Sequence, residues 1–129
     1  MRSSEEMLIG ELAKLAGVTP RTIRHYESLG LVRAVQRKSN GFHTYDHEAV
    51  QRIAKINTLK YLGLSLEEIA SVLDLYFVEP AGIEGKKAVL ALLENHLRET
   101  DERLTALTVL REQIAANIQH LKGWIKAEK

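Results

Sequence analysis

Basic and hydrogen-bonding side chains are concentrated in the segment PRTIRHYES, which begins at Pro20. At about 100° per residue, one side of a helix formed by this segment is polar, while Ile23 and the flanks of Tyr26 and Glu27 face the other way. The polar side carries Arg21, Thr22, Arg24, His25 and Ser28. Guanidinium groups bind guanine edges and phosphates, and hydroxyl groups bind phosphates. This face is therefore suited to reading a groove of a nucleic-acid duplex.

The preceding residues indicate how such a helix would be positioned. An apolar-periodic segment at 9–16 runs into Gly17, and Thr19 then stands where a hydroxyl can cap the next helix. Pro20 falls at the first helical position, where its missing N–H is harmless. The pattern predicts a helix-turn-helix that ends before Gly30.

The next residues predict a wing and two further helices. Extended runs at 32–36 and 42–45 flank Asn40-Gly41, a strong hairpin signal that leaves Arg37 and Lys38 near the tip. Asp46 is placed to cap a helix over 47–62, and the capping box of Ser65 and Glu68 starts another over 66–76. The prediction is a mainly α domain over 7–76, a winged helix-turn-helix with a two-stranded wing.

The C-terminal part predicts a long helix. Residues 77–85 contain Pro80, Gly82 and Gly85 and are predicted to be a linker. Residues 86–122 contain neither proline nor glycine, and their heptad a and d positions are Leu90, Leu93, Leu97, Thr100, Leu104, Leu107, Arg111, Ile114, Ile118 and Leu121. Eight apolar residues among ten such positions predict a coiled-coil dimerisation helix, followed by a tail over 123–129. The alternative is that the apolar stripe folds back over the small domain.

Composition narrows the functional classes. The first sixty residues carry a net charge of +4 and the remainder −3, an asymmetry that points mildly to nucleic acid. The chain has no cysteine, which excludes disulfides and thiolate metal sites. No apolar run approaches the length of a membrane span, so we expect a soluble, cytoplasmic protein with no membrane partner.

Three motifs in order resemble the MerR family of bacterial transcriptional regulators. They are VTPRTIRHYESLGL at 18–31, GFHTYD at 41–46 and LGLSLEEI at 62–69. The resemblance implies a homodimer held by an antiparallel coiled coil, with two winged heads on a palindromic operator. It also implies distortion of that operator, so that RNA polymerase can engage the promoter, or repression.

The same resemblance implies which side chains bind DNA. They are Arg21, Thr22, Arg24, His25 and Tyr26 on the second helix and Arg37, Lys38, His43 and Tyr45 on the wing. His25 and Phe42-His43 depart from the aromatic and arginine residues usual in the family, which makes a modest pH effect on affinity an expectation. As alternatives, Tyr26 packs in the core, Tyr45 serves as a staple for the third helix, and Arg37 and Lys38 form a solvated loop.

Members of the family that the sequence resembles often sense their signal near the junction of the fourth helix, the long helix and the C-terminal tail. Because cysteine is absent and the five histidines are scattered, we expect no metal and no cofactor. Any effector is expected to be small and organic, with contacts at Tyr76, Phe77, Trp124 and Ile125. The alternative is that these apolar residues only seal the long helix against the neighbouring head.

Three rival functions are weighed against a sequence-specific regulator. An architectural, excisionase-like DNA-binding protein has similar winged heads, but a long dimerisation helix fixes a half-site spacing that only a defined operator would use. An enzyme is disfavoured because the sequence contains no nucleophile elbow, phosphate-binding loop or paired-carboxylate motif. A coiled-coil adaptor without DNA binding is suggested only by the departures at His25 and His43.

Overall fold

The computed structural model describes residues 6–37 and 42–128. The chain divides into two compact units, one ending at Leu92 and the other beginning at Leu93. Nearly all of the buried core lies in the first unit. Its elements in chain order are β1 (Met7–Leu8), α1 (Ile9–Ala16), α2 (Pro20–Ser28), β2 (Gln36–Arg37), β3 (His43–Tyr45), α3 (His47–Tyr61), α4 (Leu66–Val72), a 3₁₀ turn (Leu73–Phe77) and the start of α5 (Ile83–Ala127).

The helix-turn-helix formed by α1 and α2 has the predicted end signals. Gly17 closes α1 in the left-handed conformation at φ 69°, which a residue without Cβ adopts readily. The hydroxyl of Thr19 accepts the backbone N–H of Thr22 at 3.2 Å and so caps α2. Leu12 of α1 and Ile23 of α2 are fully buried, so these helices pack through the faces that periodicity assigned to the core.

The sheet contains the two predicted strands of the wing, β2 and β3, and a third strand, β1, that the sequence analysis did not predict. β1 pairs antiparallel with β3, which also pairs antiparallel with β2. β1 is two residues long, too short for an alternating pattern to identify it in the sequence. The predicted Asn40-Gly41 turn and Lys38 lie outside the described residues.

The predicted helix ends after the sheet are only partly correct. Ser65 and Glu68 form the reciprocal capping box, with bonds of 3.0 and 3.1 Å. Asp46 stands at the N-cap of α3 but makes no side-chain cap bond. α4 ends at Val72 and continues as the 3₁₀ turn, so the predicted single helix over 66–76 is two elements.

The long helix α5 is longer at both ends than predicted. It starts at Ile83, within the segment assigned to a linker, and passes through Gly123 to Ala127. Gly85 lies inside the helix and packs closely against the ring of Tyr76. A Cβ at this position would lie 2.6 Å from Cδ2 of that ring, so only glycine permits this contact. Gly123 lies in open space, and a single glycine in a long helix lowers its stability without ending it.

Candidate nucleic-acid interface

The second helix of the helix-turn-helix presents the polar side chains that the sequence assigned to it. Arg21, Arg24 and His25 are exposed on α2. Thr22 is half-buried, and its hydroxyl lies 3.0 Å from that of Thr19. Because Pro20 and the Thr19 cap fix the start of α2, these side chains begin from a defined backbone position.

Two tyrosines that were predicted to bind DNA are core residues. Tyr26 is 3% exposed and Tyr45 is 1% exposed. Tyr26 and Ile23 are the buried residues of α2, so the alternative that Tyr26 packs in the core is the one that its position supports. Nearly all of the surface of both residues is therefore buried within the first unit.

Glu27 joins α2 to the wing and was not selected by the sequence analysis. Its carboxylate accepts a 2.5 Å hydrogen bond from the hydroxyl of Tyr45 and lies 2.9 Å from Nδ1 of His43. A guanidinium nitrogen of Arg37 is 3.7 Å away, and the Glu27 side chain is only 12% exposed. One carboxylate on α2 therefore contacts both β2 and β3.

The environment of Tyr45 explains why its hydroxyl stays protonated. Burial raises the pKa of Tyr45 well above its ordinary value of 10, and the hydrogen bond to Glu27 raises that pKa further. Arg24 and Arg37 act in the opposite direction by favouring the phenolate, but their effect is smaller. The hydroxyl is consequently a donor to Glu27 throughout the neutral range.

The side chains around Glu27 form a concave basic surface. A cavity of about 530 Å³ lies between α2 and the wing. Its lining residues are Ile9, Arg24, Glu27, Ser28, Arg37, Phe42, His43 and Tyr45. The structure thus brings together Arg24, Arg37 and His43, three residues that the sequence assigned to DNA from separate segments.

Arg52 is a second residue that the sequence analysis did not identify. Its side chain, 4% exposed, donates to the carbonyl oxygen of Leu31 at 3.2 Å and to Asp74 at 2.6 Å. Its guanidinium also lies 4.7 Å from the centre of the Phe77 ring. These contacts join the end of the helix-turn-helix to the 3₁₀ turn, so Arg52 positions elements and does not face the basic surface.

The four residues predicted to contact an effector lie in two different units. Tyr76 and Phe77 line a cavity of about 640 Å³ in the first unit, and the ammonium of Lys55 is 4.5 Å from the centre of the Tyr76 ring. Burial raises the pKa of Tyr76. Trp124 and Ile125 are exposed on the last turns of α5 in the second unit. The binding of an effector at these four residues therefore stays a prediction.

Residues 6–37 and 42–128 contain no group of three or more histidine, cysteine, aspartate or glutamate side chains placed to hold a metal ion. Within the same ranges, no helix combines the length and apolar character that a membrane crossing requires.

A winged helix-turn-helix whose second helix carries exposed arginines is typical of DNA-binding transcriptional regulators, and comparison with known proteins identifies the family. The chain matches the family model "MerR HTH family regulatory protein" over residues 7–75 and the model "MerR, DNA binding" over residues 50–116. The chain belongs to the MerR family. This confirms the resemblance drawn from the three motifs and the mainly α winged fold class.

The similar proteins include regulators of different length. The chain is 39% identical to nodulation protein NolA of Bradyrhizobium elkanii, over 82% of this chain and 44% of that protein. It is 37% identical to the ZntR homolog of Haemophilus influenzae, an HTH-type transcriptional regulator, over 84% of this chain and 78% of that protein. The chain thus spans less than half the length of NolA.

A solved relative shows the same fold. The regulator PbrR691 of Ralstonia metallidurans CH34, in complex with lead(II), superposes with a TM-score of 0.70 at 30% identity. The match covers 84% of this chain and 81% of that protein. The present chain has no cysteine, so a thiolate ligand for such a metal is absent from its sequence.

Proposed function

We propose that the protein is a sequence-specific transcriptional regulator that binds a palindromic operator as a homodimer and distorts it. The observation that carries the proposal is the set of contacts through which Glu27 of α2 holds the wing. Glu27 places the exposed Arg24 of α2 beside Arg37 and His43 of the wing on one basic surface. A helix in the major groove with a wing against the backbone would use this surface as a whole.

Within this proposal the side chains have separate roles. Arg21 and Arg24 reach base edges or phosphates from the groove-facing side of α2, and His25 donates to a phosphate. Arg37, Lys38 and His43 supply positive charge and hydrogen bonds from the wing. Tyr26 and Tyr45 act from the core, by packing and by the bond to Glu27.

The homodimer is proposed from the exposed apolar stripe of the long helix. In the single chain, Leu97, Leu104, Leu107, Ile114, Ile118 and Leu121 are each between 46% and 62% exposed. Apolar surface repeated at a and d positions is stabilised when a second helix covers it. We propose an antiparallel coiled coil between two copies as that cover.

Regulation would follow from where the dimer binds. We propose that the operator lies in a promoter and that bending it changes how RNA polymerase engages both promoter elements. A small organic effector at Tyr76 and Phe77 would adjust this process, and the protein would act in the cytoplasm without enzymatic activity, resident metal or cofactor. An architectural DNA-binding role is the rival, and it predicts no preference for one operator.

The test is equilibrium binding to a palindrome from the promoter beside the protein's own gene. Anisotropy titrations across a salt series would compare it with a shuffled duplex of equal length. We expect the palindrome to bind at least a thousandfold more tightly at physiological salt, with affinity falling steeply as salt rises. Equal affinity for both duplexes would support the architectural role, and no binding to either would support the adaptor.

Arginine substitutions test the proposed surface directly. Arg24→Ala is expected to weaken specific binding by roughly ten- to a hundredfold, because one good base contact is worth about 1–3 kcal/mol. Arg98→Ala is the matched control, since Arg98 is an exposed arginine on α5 whose guanidinium bonds Asn95. An equal loss of specific affinity in the two variants would contradict the proposal that α2 contacts the operator.

A further inference from the structure

The apolar stripe of the second unit is interrupted at two positions. Thr100 falls at a d position and Arg111 at an a position, between leucines and isoleucines on both sides. Both residues are exposed in the single chain. A polar residue at a core position of a coiled coil lowers stability and selects register and partner orientation.

The charge of Arg111 discriminates between parallel and antiparallel pairing. In a parallel, in-register dimer each a residue faces its own copy, so two Arg111 guanidinium groups would face each other in the seam. Like charges in a partly desolvated site repel each other, and neither gains a partner there. In an antiparallel dimer each a residue faces a d residue, which allows Arg111 to meet the other polar position.

Within the antiparallel homodimer of the proposed function, we propose the register that pairs Arg111 with Thr100 of the partner subunit. This inference rests on the homodimer of the proposed function and specifies its interface. The hydroxyl of threonine can accept from the guanidinium, and Asp101 follows Thr100, which brings a carboxylate to the edge of the same contact.

The same register pairs apolar residues elsewhere in the second unit. Its remaining a-to-d pairs there are Leu104 with Leu107, Leu97 with Ile114, and Leu93 with Ile118. The two-fold axis then crosses the helices between residues 105 and 106. Because α5 extends from Ile83 to Ala127, this axis lies next to the middle residue of the helix, and the two copies of α5 overlap along almost their whole length.

Neighbouring registers lose this match. A shift of one heptad in one direction puts Arg111 against Leu93 and Thr100 against Leu104. A shift in the other direction puts Arg111 against Leu107 and leaves Thr100 against an isoleucine, Ile118. Each alternative leaves both polar residues facing aliphatic side chains, which makes four such contacts per dimer. This is unfavourable because the polar groups lose hydrogen bonds to water without replacement.

The absence of cysteine makes the register measurable by disulfide cross-linking. In the 129-residue chain, the variant Leu97→Cys would be mixed with Ile114→Cys, Leu107→Cys or Leu121→Cys, one partner for each of the three registers. A one-heptad slide moves a residue by about 10.5 Å along the helix. Since a disulfide requires Cα atoms about 4.4–6.8 Å apart, only one mixture can cross-link well.

We expect cross-linking of Leu97→Cys with Ile114→Cys, and only background with the other two partners. Ala116→Cys, on the outer side of the helix, is the negative control. Preferred cross-linking with Leu107→Cys or Leu121→Cys would overturn the register, and self-cross-linking of Leu97→Cys would overturn the antiparallel orientation. Sedimentation of each variant as a monomer would instead contradict the dimer itself, and with it the proposed function.

A second variant tests whether Arg111 selects the register. Arg111→Leu is expected to raise the midpoint temperature of dimer unfolding, because it removes a charge from the seam. It should also let the Leu107→Cys or Leu121→Cys mixtures cross-link to an extent comparable with Ile114→Cys. If Arg111→Leu leaves the cross-linking pattern unchanged, the pairing of Arg111 with Thr100 does not set the register.

Discussion

Glu27 is the residue whose removal most directly tests how the wing is held against α2. The substitution Glu27→Ala deletes the acceptor of the Tyr45 hydroxyl, the neighbour of His43 and the opposite charge near Arg37. The hydroxyl of Tyr45, in a residue only 1% exposed, would then lack this acceptor. Within residues 6–37 and 42–128, Glu27 is the hydrogen-bond partner of that hydroxyl.

The expected loss of stability follows from these contacts. A hydrogen bond to a charged group contributes about 1.5–3 kcal/mol, and leaving a buried donor without a partner costs about 1–3 kcal/mol. These two figures describe the same lost bond, so they do not add. We expect Glu27→Ala to lower the free energy of unfolding by about 2–3 kcal/mol. Glu27→Gln, which keeps an acceptor oxygen, should lose about 1 kcal/mol.

Urea denaturation of the wild type, Glu27→Ala, Tyr45→Phe and the double variant measures this as a double-mutant cycle. The coupling between Glu27 and Tyr45 should be about 1–3 kcal/mol, because the two side chains are in direct contact. Operator affinity should fall in Glu27→Ala more than in Glu27→Gln, since the wing arginine loses its fixed position. A loss of stability below about 0.5 kcal/mol in Glu27→Ala would contradict the role of Glu27 in holding the wing against α2.

Three further predictions concern local structure. Thermal melts of Gly85→Ala should show a free energy of unfolding lower by about 1–3 kcal/mol, because the new Cβ would lie 2.6 Å from the ring of Tyr76. In the control Gly123→Ala, the new Cβ lies in open space, and the free energy of unfolding should rise by up to about 1 kcal/mol. Ser65→Ala should cost about 1 kcal/mol through loss of its capping bond, measured by urea denaturation. Tyr45→Phe should remove a step from the absorbance titration of tyrosine that lies above pH 10; the raised pKa means that this hydroxyl stabilises the fold fully below pH 10 and less as pH rises through the folded-state value.

The parts of the fold that local sequence determines were predictable. Thr19 and Ser65 cap their helices through bonds that span three residues, so their signals are visible in short segments. The apolar stripe of α5 follows from a period repeated over many turns. Such features depend on spacing along the chain and little on tertiary structure.

The contacts that complete the site were not predictable in the same way. Glu27 and Tyr45 are 18 residues apart, and Arg52 and Asp74 are 22 apart. Each pair depends on how separate elements pack, which no periodicity within one element reveals. Gly85 was interpreted as a helix breaker for the same reason, since the ring that requires a glycine belongs to Tyr76 in the preceding 3₁₀ turn.

The central claim is that the two winged helix-turn-helix domains of a dimer bind one palindrome together. A change in half-site spacing tests this claim most directly. Five base pairs inserted at the centre of the operator rotate one half-site by about half a helical turn, since B-DNA repeats every 10–10.5 base pairs. We predict that the affinity of the 129-residue protein for this operator falls to that for the shuffled duplex. Unchanged affinity for the lengthened operator would contradict the account, because it would mean that each head binds its half-site independently.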